Sequence, residues 1–155
     1  MINRNFPSTR LRRTRAKGFL RDLVAENKLS SDDLIQPIFV ADQDELQIDI
    51  PSMPGIFRHN LDSLYAEAEA LLNAGIKSIA IFPAIDPDKK NAEASHAFDS
   101  DNIVCKALQG INKRFSEIVT IADVALDPYT DHGHDGLIIN EKIDNDRTLT
   151  LLSKQ

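Results

Sequence analysis

The sequence has no tryptophan, two tyrosines and a single cysteine. One thiol, Cys105, excludes an internal disulfide framework and a thiolate metal cluster. It falls at helical spacing between apolar neighbours, the setting of a buried, inert thiol. No apolar run approaches the roughly 20 residues needed to cross a bilayer. Nor does the chain begin with a charged head, an apolar stretch and a small-residue cleavage site. These absences give the expectation of a cytoplasmic protein with no membrane partner.

Acidic residues are missing from one region in particular. Up to Arg21 there are seven basic residues and no acid, which leaves eleven of the 18 bases in the rest of the chain against all 24 acids. The net charge of −6 therefore hides a basic arm in front of an acidic body. Charge complementarity of that kind points to contact with the acidic surface of a neighbouring copy. A nucleic-acid patch lacks support, because no aromatics interleave with the bases. An organelle transit peptide shares the Arg-rich, acid-poor composition. The inter-subunit arm ranks first and a solvated tail second.

What is present suffices for one domain: 155 residues, 42% of them hydrophobic, can enclose a core. After the arm, Phe19, Leu20, Leu23 and Val24 predict a short amphipathic helix, ended by Asn27 and Ser30-Ser31. Leu34-Ile-Gln-Pro-Ile-Phe-Val40 reads as a buried strand, with Pro37 arguing for an edge or a bulge. Asp42 to Pro54 reads as a small hairpin or loop excursion. From Leu61 the apolar period becomes 3.6, and Asn60 and Gly75 are placed to cap a helix at its two ends. Ser78-Ile-Ala-Ile-Phe-Pro-Ala-Ile85 predicts a strand covered on both faces. A helix capped by Asp99 then leads to a third buried strand, Ile118 to Leu126. Leu137 to Ile139 and Lys142-Ile143 flank Asn140-Glu141 as a short hairpin, and a last helix begins after Asp144 with barely one apolar turn. Alternating strands and helices predict parallel βαβ units. That unfinished last helix favours the front part of something larger over a small open sheet.

The densest chemistry is in Ile121-Ala-Asp-Val-Ala-Leu-Asp-Pro-Tyr-Thr-Asp-His-Gly-His-Asp-Gly136. Ionisable groups beside a core are costly to desolvate, so this loop reads as a site. It lies at the carboxyl end of a predicted strand, where α/β folds bind their ligands. Asp123, inside the apolar strand run, reads as a carboxylate aimed into a pocket, able to hold an ammonium or transfer a proton. A hydrogen-bonded structural acid is the alternative. His132 and His134 with Asp127, Asp131 and Asp135 invite a metal reading, but alternating histidines on a short loop more often serve structure. His59 and His96 fall in polar loops and are expected to be solvated. Phe82-Pro83 is placed to line the same pocket or to pack in the core.

The stretch Asp123 to Gly136 closely resembles the signature loop of the porphobilinogen synthase, or delta-aminolevulinic acid dehydratase, family. Arg10-Leu-Arg-Arg13, Leu34 to Val40, Ile50-Pro-Ser-Met-Pro-Gly55, Gly75-Ile76 and Ile81-Phe-Pro83 extend the resemblance over essentially the whole chain. It implies an α/β fold: a partial TIM (β/α)8 barrel of about the first three βα units over residues 31–155. An extended basic arm with a short helix over residues 1–30 would precede it. The implied activity is condensation of two molecules of 5-aminolevulinate to porphobilinogen with loss of water, in tetrapyrrole and haem biosynthesis. The implied assembly is a homo-oligomer, dimer or octamer, held through the arm, with Arg10, Arg12 and Arg13 as subunit contacts. Zinc-dependent members place cysteines where this sequence has Ala125, Asp127 and Asp135, so a thiolate-held catalytic zinc is excluded. Asp127 and Asp135 are then expected to bind a substrate amino group or a harder cation such as Mg²⁺. Asp123 carries over as the catalytic acid, and Asp127, Asp135, Phe82 and Tyr129 as substrate-binding positions. The family's two Schiff-base lysines lie on later strands. None of Lys77, Lys89, Lys90, Lys106, Lys113, Lys142 or Lys154 matches them, so the chain is expected to be an N-terminal half, inactive alone. A noncatalytic fragment that associates with full-length subunits is the alternative.

Overall fold

The computed structural model describes residues 5, 7, 9 and 12–155, which form two compact units, 1–30 and 31–155. In the first, a 3-10 turn at Arg13–Arg15 is followed by helix α1, Gly18–Leu23, neither of which buries a residue. Phe19 is 65% exposed and Leu23 79%, so the amphipathic pattern of this short helix finds no core within its own unit. Arg12 and Arg13 are exposed, and Arg10 lies outside the described residues.

The second unit opens with β1, Ile35–Val40, and a hairpin of β2, Gln47–Asp49, and β3, Phe57–His59. Helix α2, Leu61–Asn73, leads to β4, Ser78–Pro83, and helix α3, Ile103–Arg114, to β5, Val119–Ala122. The five strands form one sheet in the order β2-β3-β1-β4-β5, parallel except for β2 against β3. Beyond it come the hairpin β6–β7, Ile138–Ile139 with Lys142–Ile143, and helix α4, Asn145–Leu152. Asn140 and Glu141 take positive φ at the tip of that hairpin, the geometry a tight two-residue connection requires. Among the described residues no helix is long and apolar enough to cross a membrane.

Local signals placed α2 correctly. The Asn60 side chain accepts a hydrogen bond from the Ser63 amide at 3.0 Å, and Gly75 turns the chain out at φ +82°. Leu64, Ala68 and Leu71 of α2 meet Ile38, Val40, Ile79 and Ile81 of the sheet and Ile103, Val104, Ala107 and Ile111 of α3 in one buried cluster. Each large aliphatic side chain enclosed there contributes about 1.5–3 kcal/mol.

Elsewhere tertiary structure overrode the expectation. β1 is interior, between β3 and β4, although it contains Pro37. Val40 accepts from the β4 side, through the Ala84 amide, so by strand alternation Pro37 turns toward β3. There β3 registers only with Phe39 and Val40, and the missing N–H falls on a local edge. The cap of α3 is Asn102, not Asp99: its Oδ1 accepts from the Cys105 amide at 2.9 Å. The strand expected over residues 118–126 ends at Ala122 and is not buried, with Val119 60% exposed at the sheet edge. β4 is enclosed on the helix side alone, since Phe82 on its other face is half-buried. His59 is 6% exposed, with Nδ1 2.7 Å from the Ser63 Oγ, and burial holds its pKa below the usual histidine value. His96 is also largely enclosed, 3.5 Å from the Asp99 carboxylate.

Candidate active site

Past β5 the chain exposes Asp123 and Val124, then turns inward. Leu126, Tyr129 and Thr130 are each no more than 1% exposed. The Tyr129 and Thr130 amides both donate to the Leu126 carbonyl, at 2.8 and 3.0 Å, which closes a tight turn around Pro128. Leu126 and Tyr129 anchor a second apolar cluster with Ala94 and Ala97, against which Leu151 and Leu152 of α4 pack. The last helix therefore has a definite role: it supports the loop from beneath.

Three polar contacts hold the loop's shape. Asp135 Oδ1 accepts the Leu126 amide at 2.7 Å, tying the end of the loop to its start. The Thr130 hydroxyl donates to the His134 carbonyl at 3.0 Å. The His134 amide donates to His132 Nδ1 at 3.2 Å. Gly133 adopts φ +72° and Gly136 φ +154°, and a Cβ at Gly136 would come within 2.9 Å of Ile143 and 3.1 Å of Thr148. Glycine is required there by both backbone and space.

This folding gathers Asp123, Asp127 and Asp135 into one electrostatic neighbourhood. Asp127 is exposed, yet crowding by its surroundings raises its carboxyl above the usual aspartate value, and the charges of Asp135 and Asp123 push it further the same way. The Lys90 charge, from the loop after β4, pulls in the opposite direction. Asp123 stands just beyond the strand, exposed, and not within an apolar strand as its sequence neighbours implied. Among the described residues no group of three or more His, Cys, Asp or Glu is arranged to hold a metal ion. Asp127 and Asp135 therefore stand as two carboxylates, one of them already accepting a backbone N–H, which does not make a cation cage by itself.

The other expected binding residues separate from this cluster. Tyr129 lies beneath the loop, 6.2 Å from the His96 ring, and burial pushes its phenol up to about 12, so it is neutral. Phe82 sits on β4 with its ring 6.0 Å from that of Phe39. Beside these rings is a cavity of about 620 Å³, bordered by Phe39, Pro83 and Ile85 at the carboxyl ends of β1 and β4 and by Pro128 of the loop. Arg58, Lys90 and Asp42 on its wall carry no motif in the sequence; the dense polar composition of residues 86–97 was the only available signal.

Comparison with known proteins identifies the setting of this loop. A family profile described as delta-aminolevulinic acid dehydratase matches residues 8–155. The chain belongs to that family. Delta-aminolevulinic acid dehydratase of Bradyrhizobium diazoefficiens is 44% identical over 146 residues, covering 94% of this chain and 41% of the relative. That of Ruminiclostridium josui is 34% identical over 145 residues, which is 94% of this chain and 70% of the relative. The crystal structure of the dehydratase from Toxoplasma gondii, solved with the reaction product porphobilinogen, superposes with a TM-score of 0.90 at 38% identity. It covers 95% of this chain and 42% of that one. The chain thus spans about two fifths of the length of several dehydratases it matches. The shared α/β fold, with its mostly parallel sheet, agrees with the family assignment.

Proposed function

We propose that this chain forms the amine-binding side of a porphobilinogen synthase site, in which two molecules of 5-aminolevulinate condense to porphobilinogen with loss of water. The sheet of residues 31–155 is then the opening part of a (β/α)8 barrel, and the loop after β5 stands at the barrel's catalytic end. The observation that carries this reading is the fold of the loop, in which Asp135 is tied back to the Leu126 amide at 2.7 Å beside Asp127; partial burial first, and then the charges of Asp135 and Asp123, raise the Asp127 carboxyl. Like charges held together by a loop's own hydrogen bonds are relieved by a cation, and the ammonium of 5-aminolevulinate is a cation of the right size. Asp127 and Asp135 accept that ammonium. Asp123, exposed at the end of β5, takes up a proton as the amine becomes a nucleophile.

No lysine in these 155 residues matches the family's Schiff-base positions, so the chain alone turns over no substrate. Incubation with 5-aminolevulinate followed by borohydride should leave the intact mass unchanged and produce no pyrrole. Saturation-transfer NMR should show the substrate bound, with the signal lost in Asp127→Asn/Asp135→Asn. A reduced lysine adduct with porphobilinogen would overturn the inactivity, and unchanged binding by the double variant would overturn the ammonium assignment.

A second reading rests on the charge split. Seven bases without an acid, followed by a strongly acidic remainder, suit an arm that holds a neighbouring subunit, with the exposed Arg12 and Arg13 at the contact. Co-elution with an intact dehydratase, abolished by Arg12→Glu/Arg13→Glu, is the expected result; co-elution that survives the charge reversal would refute it.

A further inference from the structure

Apart from the Tyr129 phenol, His59 is the one ionisable side chain that the fold buries among the described residues, and no step of the proposed reaction uses it. It ends β3 immediately before Asn60, the cap of α2, and its Nδ1 lies 2.7 Å from the Oγ of Ser63 in the first turn of that helix. The ring therefore joins the β2–β3 hairpin to α2. Backbone hydrogen bonds spread the joint: the His59 carbonyl accepts the Ala41 amide at 2.9 Å, and the Asn60 amide donates to the Leu46 carbonyl at 3.1 Å. Arg58, one residue back on the opposite face, borders the large cavity at the carboxyl ends of β1 and β4, as do Ile50 and Met53 between β2 and β3. Whatever loosens His59 thus loosens a wall of that cavity.

A proton on His59 meets opposing forces. Burial disfavours the charge, and so does the partly positive end of α2, which begins at the next residue but one. Glu67, one turn beyond Ser63 on the same face of α2, favours it across a second cavity of about 190 Å³ that both side chains border. The other neighbours there are uncharged: Gln36 and Ile38 of β1, Gln47 of β2, and Phe57 of β3, whose ring stands edge-on at 6.4 Å. Desolvation outweighs Glu67, and the ring stays neutral at neutral pH. Once charged, the ring is held in place by little strand pairing, because β3 registers only with Phe39 and Val40 of β1. The way out is short, since Gln47 on the wall of the second cavity is exposed.

We propose that His59 is a pH-sensitive latch: neutral, it fastens the β2–β3 hairpin to α2, and protonated, it swings toward Glu67 and water and lets the hairpin open. Histidine is the side chain suited to this task, because its charge changes within the physiological range. The sign follows from the lowered native pKa. The stabilisation from His59 is fully present above the ordinary histidine value of 6.5 and is lost as pH falls from there through the lowered value. The latch acts on a wall of the large cavity whatever that cavity binds, so it stands apart from the ammonium assignment of Asp127 and Asp135.

Amide hydrogen exchange on the full chain tests the latch. Between about pH 7.5 and about pH 5.5, corrected for intrinsic exchange, protection of the Ala41 and Asn60 amides should fall about three- to tenfold, within the roughly tenfold per pH unit that one linked proton allows. Amides of α3, such as that of the buried Ile111, should keep their protection. His59→Phe leaves an apolar ring in the space and should make the hairpin's protection independent of this pH change, with circular dichroism to check that it folds. Glu67→Gln serves if it does not: it removes the one nearby carboxylate, so by NMR the His59 titration should move to lower pH, and the loss of hairpin protection should grow. A native His59 that titrates at or above 6.5 overturns the latch, as does hairpin protection that holds at both pH values. So does a loss of equal size in His59→Phe, a loss shared by α3, or a His59 titration that Glu67→Gln leaves in place or raises.

Discussion

Replacing Asp135 by alanine tests the central feature of the site, because one side chain both closes the loop and charges it. Its Oδ1 accepts the Leu126 amide at 2.7 Å, and Leu126 is fully buried, so truncation leaves a donor without a partner next to the second apolar cluster. A hydrogen bond to a charged acceptor contributes roughly 1.5–3 kcal/mol. Asp135 is exposed, and its removal also relieves repulsion on Asp127, so the net loss should be about 1–2 kcal/mol. For a chain of this size that lowers Tm by about 2–8 °C. Asp135→Asn keeps an oxygen facing Leu126 and should lose about half as much, since neutral hydrogen bonds are about half as strong as charge-assisted ones. Both variants should lower the Asp127 pKa, because each removes the nearby negative charge that helps to raise it. Urea unfolding followed by circular dichroism measures the first effect, and carboxyl carbon NMR titration of Asp127 the second. An unchanged midpoint in Asp135→Ala, or an Asp127 titration that stays in place in Asp135→Asn, would refute the two roles separately.

Asn102 caps α3 through Oδ1 and donates its amide to the His96 and Ala97 carbonyls at 3.3 and 3.1 Å while 2% exposed, so Asn102→Ala should cost about 2–3 kcal/mol in urea unfolding, against about 1 kcal/mol for the simpler cap Asn60→Ala. Equal losses in the two would show that the amide contacts contribute nothing. The pH dependence of Asp42 and Asp127 should have opposite signs. Lys89 lowers the Asp42 pKa, so its stabilisation, under about 1 kcal/mol for so exposed a pair, is present above pH 3.8 and lost as pH falls through the lowered value. The Asp127 pKa is raised, so its contribution is full below 3.8 and lost as pH rises through the raised value. Relative to the parent, Asp127→Asn should therefore gain stability across the interval above 3.8 and Asp42→Asn should lose it, as read by thermal unfolding from acid to neutral pH; parallel curves would contradict both assignments.

Much of this protein is determined by neighbours in the chain. The apolar period of α2, its caps at Asn60 and Gly75, the tip at Asn140-Glu141 and the family signature from Asp123 to Gly136 depend on residues a few positions apart, whose backbone preferences act wherever the segment lies. Composition likewise exposed the basic arm. What depends on distant partners was not legible. Pro37 is tolerated in an interior strand only because β3 stops short of it, and β5 ends at Ala122 because Leu126 and Tyr129 are drawn into a cluster with Ala94, Ala97 and α4. The same inward turn buries Tyr129, brings Asp135 back onto Leu126, and so sets the charge around Asp127. Nor does any local pattern place Arg58 in one row with Phe39 and Phe82, since that row is made by strand register. Propensity and capping are short-range and can be read along the chain, whereas burial, register and pKa are set by which surfaces meet, and only the folded chain decides that.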